Sequence, residues 1–312
     1  MLDYSIKDIY NLLKDILKET IIDIEPVGNH DINRHLVYKV YTKGKNKILK
    51  IYYKKNKIDN EVIALRLLED TKVKSQKNFL SGEFENGDPW LLYDFIEGVT
   101  LKEVIKTMPE EKKEKLFEEI GRELGKLHSS YGGDYFGPLG KVMKGESKEH
   151  SYYNKSLNSI DEYRKVIETL DLPHKELIDS GFNYLYNNLN LINIEVKPTL
   201  CHGDYNERNI LVKEDYEGYT ITSIIDFETS HLGNNEEDLV SLYLLSFRQN
   251  KDLERKFLKG YCKFETLYAD FNKRLKFYII KFILGNCAWS YSNAKDYYNL
   301  NIQWLYEVLN EE

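Results

Sequence analysis

Apolar residues at Ile6, Ile9, Leu13, Ile16 and Leu17 recur at helical spacing, and Ser5 with Asp8 resembles a capping box, so an amphipathic first helix is expected. The period then falls to two. Residues 21–27, 34–42 with alternating Leu36, Tyr38 and Val40, and 47–53 read as strands, with Gly44 supplying the turn between the last two. A helix over about 59–69, a loop and a strand over 89–96 follow. Beyond Gly98 the pattern lengthens to amphipathic helices near 110–130, 155–170, 173–191, 236–248, 252–262 and 270–293. One β-rich stretch, 199–226, interrupts them with short strands around 210–212 and 220–225. The expected class is therefore α+β, with a β-rich lobe over 1–94, a hinge at 95–98 and a helical lobe over 99–312.

Composition narrows the function more than the fold. The 312 residues are 42% hydrophobic and 30% charged, too apolar for general disorder and sufficient for two lobes. A formal net charge of −7 gives no broad basic surface, so nucleic acid is not expected as a partner, whereas a cationic small molecule would be compatible. Cys201, Cys262 and Cys287 are odd in number and far apart, which suggests neither a disulfide framework nor a zinc site and leaves buried reduced thiols as the expectation. The N-terminus has acids early and helical spacing in place of a basic stretch followed by an apolar core, unlike a signal peptide. The longest apolar run, 277–289, is broken by Lys281 and too short to span a bilayer, so no membrane association is expected. A cytoplasmic protein follows, monomeric or dimeric.

The candidate chemistry lies in the β-rich interruption. Cys201-His202-Gly203-Asp204-Tyr205-Asn206-Glu207-Arg208-Asn209 is followed by Ile225-Asp226-Phe227-Glu228. Phosphoryl transfer from ATP needs a carboxylate to accept or orient the acceptor hydroxyl's proton and oxygen ligands for a bridging Mg²⁺. Asp204 supplies the first, while Asn209, five residues later, and Asp226, on the neighbouring strand, supply the second. Upstream, Lys50 sits mid-strand, and Glu61 is expected to open a helix whose Ala64, Leu65 and Leu68 share its face. A buried lysine is costly unless paired, and a glutamate on the inner helix face is its natural partner.

The motif H-G-D-x-x-x-x-N with I-D-F resembles the aminoglycoside phosphotransferase and choline kinase group, relatives of the protein kinases. Gly203, where protein kinases usually carry Arg, favours the small-molecule branch. The stretch from Leu92 to Leu101 is similar to the group's hinge, and Gly121-Arg122-Glu123-Leu124-Gly125-Lys126-Leu127-His128 to its helix before the substrate region. The resemblance implies a protein-kinase-like fold that uses ATP or GTP with Mg²⁺. It implies that Lys50, held by Glu61, grips the α- and β-phosphates, that Gly28 lies in the nucleotide-covering loop, and that Asp94, Phe95 and Ile96 offer backbone groups to the nucleobase. Asp238 matches the aspartate that caps the catalytic-loop backbone. The chain departs from the pattern at Asn206, where His is common, at Glu207-Arg208, where Pro-Gly is common, and at Asn234-Asn235, where Asp-Pro is frequent.

For the acceptor, the resemblance leaves an aminoglycoside-like antibiotic, choline or ethanolamine, and sugars such as a fructosamine or methylthioribose open; a catalytically silent nucleotide-binding relative is the rival from another class. Glu207, Glu228, Glu236 and Glu237 crowd the catalytic motifs, and carboxylates gathered around one cleft would invite an amine-bearing acceptor. That favours the antibiotic. Six aromatics from Trp289 to Tyr306 are expected mainly to pack helices, although they have the chemistry to hold a sugar or a quaternary amine.

Overall fold

The computed structural model describes residues 4–28, 30, 35–216 and 218–311. Ser5 caps helix α1 (Ile6–Ile16) as expected: its hydroxyl accepts the Asp8 N–H at 3.2 Å while the Asp8 carboxylate accepts the Ser5 N–H at 2.9 Å. Strands β1 (Ile21–Val27), β2 (Leu36–Thr42), β3 (Lys47–Ile51), β4 (Leu80–Glu83) and β5 (Pro89–Asp94) form one antiparallel sheet in the order β1-β2-β3-β5-β4. Helix α2 (Lys55–Leu68) starts four residues before the expected 59, so Glu61 lies in its second turn instead of opening it. The early start was hidden because Lys-Asn-Lys carries no apolar periodicity and Lys54 makes no side-chain cap.

Strand alternation sends β3 to two different cores. Leu49 and Ile51 join Ile9, Leu13, Val40 and Leu92 in a small cluster under α1, while Lys50 and Tyr52 face the other way. Tyr52 belongs to the large cluster, which runs through Leu65 and Leu68 of α2 into the helical region. There the helices Glu110–Ser130 and Lys251–Tyr261 pack so closely that a Cβ at Gly121 would stand 2.0 Å from the Phe257 carbonyl oxygen. Two small three-stranded sheets, one built on Ile210–Asp215 and Gly218–Ile224 and the other on Thr199–Cys201 and His231–Gly233, frame the intervening loops.

One expectation for the helical region needs correction, and one helix was not expected. The helix expected over 236–248 is a 3₁₀ turn (Asn235–Leu239), one α-turn (Val240–Leu242) and a π-helical segment (Tyr243–Phe247). The aromatics after residue 294 belong to a further helix, Lys295–Asn310, whose start at Ala294 has no side-chain cap and so no start signal. Among the described residues no helix is long and apolar enough to cross a membrane. Of the thiols, Cys201 and Cys287 are buried and free, but Cys262 is exposed, where burial was expected.

Candidate active site

Lys50 is 5% exposed, and its ammonium donates to Glu61 Oε2 at 2.8 Å and to Asp226 Oδ1 at 2.6 Å. Burial works against the charge, but Asp226 and Glu61 outweigh it and hold the lysine well above its ordinary range. Glu61 is fully buried; burial raises its carboxyl pKa, with Lys50 opposing, and Tyr52 Oη also donates to it. The expected Lys50–Glu61 pair is thus formed, and Asp226 meets it from 176 residues away.

Asp226 itself has φ 68° and ψ 61°, a left-handed backbone that non-glycine residues rarely adopt and that is concentrated at functional sites. It lies two residues past the strand Gly218–Ile224 on which it was expected, and the Ile225 N–H between them ties this segment to the catalytic loop by donating to the Asn209 carbonyl at 2.9 Å. Within that loop both oxygens of the Asp204 carboxylate are held: Asn206 Nδ2 donates to Oδ1 at 2.6 Å and Asn209 Nδ2 to Oδ2 at 2.9 Å. Arg208 stands 3.7 Å from the same carboxylate. Burial pushes the Asp204 carboxyl up, and the Arg208 charge opposes it. The sequence shows Asn206 as a departure from the usual His; in the structure its Oδ1 accepts the Arg208 N–H at 2.9 Å in an Asx turn, which turns its amide N–H toward the Asp204 carboxylate.

The loop is held from behind. Asp238 accepts the His202 N–H at 2.6 Å and the Gly203 N–H at 2.7 Å, the backbone capping that the motif led us to expect. His128 was not singled out, yet its Nε2 lies 3.1 Å from Asp238 and its Nδ1 2.9 Å from Tyr261 Oη, closing a buried chain. Gly203 has φ 81°, and a Cβ there would stand 2.5 Å from the Thr229 carbonyl oxygen, so an arginine at this position would not fit.

The oxygen donors suit a hard divalent cation. Carboxylate oxygens of Glu61, Asp226 and Glu228 lie within 4.8 Å of one another, and one Glu61 oxygen is buried without a hydrogen-bond partner. Asn209 spends its amide N–H groups on Asp204, so the lone pairs of its amide oxygen are the part of the side chain that could meet a cation.

Several expected residues sit elsewhere or differently. Gly28 ends β1 at φ 79°, while Asn29 and 31–34, the rest of the expected nucleotide-covering loop, lie outside the described residues. Of the backbone groups expected to face a nucleobase, the Phe95 N–H already donates to the Asn46 carbonyl at 2.8 Å, which leaves its carbonyl for that role. The Asp94 side chain pairs with Lys47 at 2.6 Å, and Ile96 follows the end of β5.

The four glutamates do not form a bare acidic wall. Glu236 is fully buried, accepting from Arg274 at 2.8 and 2.9 Å, from Tyr278 Oη at 3.0 Å and from the Tyr268 N–H, which removes it from any ligand. Glu237 is held by Lys281 at 2.5 Å and Lys155 at 3.5 Å; burial raises its carboxyl pKa, but those two charges carry it far below the usual range. Glu228 pairs with His35, with Lys50 at 3.4 Å and with Lys57 at 3.6 Å. Glu207 accepts from Ser246 at 2.6 Å, and burial raises its carboxyl pKa. The correction is physical: Glu228, Glu236 and Glu237 are answered by cations remote in sequence, and Glu207 by a hydroxyl.

Two cavities flank the catalytic loop. One, of about 620 Å³, has a wall of mixed character, with Lys155, Glu162, Glu237 and Lys281 beside Gly203 as well as Phe136 and Tyr163. The other, of about 260 Å³, is bordered by Asn206, Glu207 and Arg208; Ser241 and Phe282 line both.

The model of the phosphotransferase enzyme family matches residues 23–272. Among solved structures, aminoglycoside phosphotransferase APH(4)-Ia superposes with a TM-score of 0.74 at 14% identity, covering 98% of this chain and 97% of that one. A thermostable mutant of the same protein, in ternary complex with AMP-PNP and hygromycin B, gives 0.71 at 14% over 97% and 96%. The GDP complex of aminoglycoside 2'-phosphotransferase-IIIa gives 0.70 at 17% over 96% of each chain. Identities this low establish a shared fold. No curated protein sequence matches the chain.

Proposed function

The chain belongs to the phosphotransferase enzyme family, and we propose that it moves the γ-phosphoryl group of ATP or GTP onto a hydroxyl of a small molecule, with Asp204 as base. The observation that carries this reading is the buried Lys50 ammonium gripped at once by Glu61 and Asp226, beside an Asp204 carboxylate held on both oxygens. In this reading Lys50 binds the α- and β-phosphates, and Asn206 and Asn209 aim the Asp204 carboxylate at the incoming hydroxyl. Asp204 takes the hydroxyl proton as the acceptor oxygen bonds to the γ-phosphorus and the bond to the β-phosphate oxygen breaks, releasing ADP or GDP. Asp226 and the Asn209 amide oxygen would hold Mg²⁺, which supplies positive charge to the phosphate oxygens.

For the acceptor we propose an aminoglycoside-like molecule. The cavity of about 620 Å³ beside Gly203, with Lys155, Glu162, Glu237 and Lys281 in its wall, has room for one, and the related folds include a complex with hygromycin B and a complex of APH(2")-IIIa with GDP and kanamycin. The test is release of ADP or GDP from purified protein with Mg²⁺ and each nucleotide, against kanamycin, hygromycin B, choline and simple sugars. Acceptor-dependent release that disappears in Asp204→Asn is expected. Release that is equal with and without every acceptor would overturn the phosphotransferase reading.

A further inference from the structure

The smaller cavity beside the catalytic loop has walls that differ in kind from the rest of the site. Leu244, Leu245, Phe282, Tyr297, Leu300 and Trp304 line it, drawn from three separate stretches of chain. Leu245 is 47% exposed and Leu300 37%, although each could have been polar without disturbing a core. Leu244 and Leu245 sit on the π-helical segment, where the Arg248 N–H reaches back five residues to the Tyr243 carbonyl at 2.9 Å. Such a widened turn inserts a residue into the helix and is found mostly at functional sites.

The cavity is joined to the catalytic centre by shared residues. Asn206 and Arg208 border it, and both touch the Asp204 carboxylate, at 2.6 Å and 3.7 Å. Its charged rim consists of Lys102 and Arg208 against Glu207, whose carboxylate already accepts from Ser246. Nothing in that rim draws a polyammonium group, and two cations oppose one.

We propose that this cavity is a subsite for an apolar, uncharged portion of the acceptor, so that the molecule phosphorylated carries, besides the aminoglycoside-like polar part assigned to the larger cavity and the hydroxyl at Asp204, a hydrocarbon face or chain laid against Leu245, Leu300 and Trp304. The inference rests on the phosphotransferase reading for its hydroxyl and on the cavity walls for its apolar half. Apolar area removed from water at these leucines stabilises the bound acceptor in proportion to its length.

The test uses methyl, hexyl and octyl β-D-glucosides below micelle formation, which share one set of hydroxyls and differ only in apolar length. With Mg²⁺-ATP, kcat/KM should rise by at least about tenfold from methyl to octyl. Leu245→Asp and Leu300→Asp, at exposed positions that spare the core, should bring the octyl-to-methyl ratio close to one. Calorimetry without nucleotide should find octyl glucoside bound by the native chain and weakened at least tenfold by either substitution. Chain length that changes neither turnover nor binding, or substitutions that leave the octyl preference intact, would overturn the subsite. If no glucoside or aminoglycoside is phosphorylated, the failure belongs to the phosphotransferase reading, and the calorimetric result alone decides the subsite.

Discussion

The nucleotide-facing and acceptor-facing halves of the site are built on opposite economies of sequence. On the proposed nucleotide side the key groups lie in short motifs: Lys50 on β3 with Glu61 eleven residues later on α2, Asn209 five residues after Asp204, and Asp226 two residues past the strand that ends at Ile224. On the proposed acceptor side much of the wall comes from residues 155–163, 240–245, 281–282 and 297–304, whose neighbours in space are remote in sequence. The first half is therefore charged and mutually committed, with each group holding another. The second is divided between paired charges and open apolar surface. The contrast teaches that phosphoryl chemistry is specified locally, while acceptor choice is specified by how helices pack.

Asp226→Ala should have the largest effect and would break the comparison at its charged end. It removes the group that holds Lys50 at 2.6 Å, so nucleotide binding that depends on Mg²⁺ and turnover should vanish together. Calorimetry with unchanged Mg²⁺-ATP binding would refute that role. Asp204→Asn should lower kcat by roughly 10² to 10⁴ with little change in nucleotide affinity, because the base touches the acceptor and not the nucleotide. Near-normal turnover would remove Asp204 from the chemistry.

Glu236→Gln sharpens the acceptor side. It leaves Arg274 buried without its charge partner, which costs about 3–5 kcal/mol in stability and should appear as a lower Tm. The KM of any acceptor measured on folded protein should stay unchanged; a steep rise would return Glu236 to the substrate site. The smallest effect is expected from Arg208→Ala. Burial raises the Asp204 pKa and Arg208 lowers it, so removing the arginine raises it further. The base works deprotonated, and activity is lost as pH falls through its pKa. The acid limb of the kcat/KM profile should move to higher pH in the variant, with similar rates on the alkaline plateau. A limb that stays in place or moves down would show that Arg208 does not act on the base.

Legibility followed the same division. The capping box at Ser5, the alternation in β2 and β3 and the Lys50–Glu61 pair could be read because each is set within a dozen residues. The family match over residues 23–272 and the kinase-like superpositions bear out the resemblance read from H-G-D-x-x-x-x-N and I-D-F. What escaped was long-range. The cations that answer Glu236 and Glu237 stand at Arg274 and Lys281, about 40 residues on, as the separations of 38 and 44 record. Lys281 illustrates the point: the sequence shows it only as a break in an apolar run, and the structure makes it a buried counter-ion. The π-helical segment at 243–247 was invisible for a different reason: its apolar spacing is compatible with an ordinary helix, and only packing selects the wider turn.

Strand β3 takes part in both apolar clusters through alternate residues, Leu49 and Ile51 to one side and Tyr52, just past its end, to the other. The smaller cluster has few members and should open by local fluctuation more often than the larger. A nucleotide bound through Lys50 would tie the strand to groups rooted in the larger cluster, and at a hundredfold excess over Kd it adds about 2.7 kcal/mol to whatever must open to release it. Amide hydrogens of β1 to β3 would then exchange more slowly when nucleotide is added, while those of Glu110–Ser130, already held by deep packing, would change little. The sheet would thus report occupancy through its breathing, with no change of shape required.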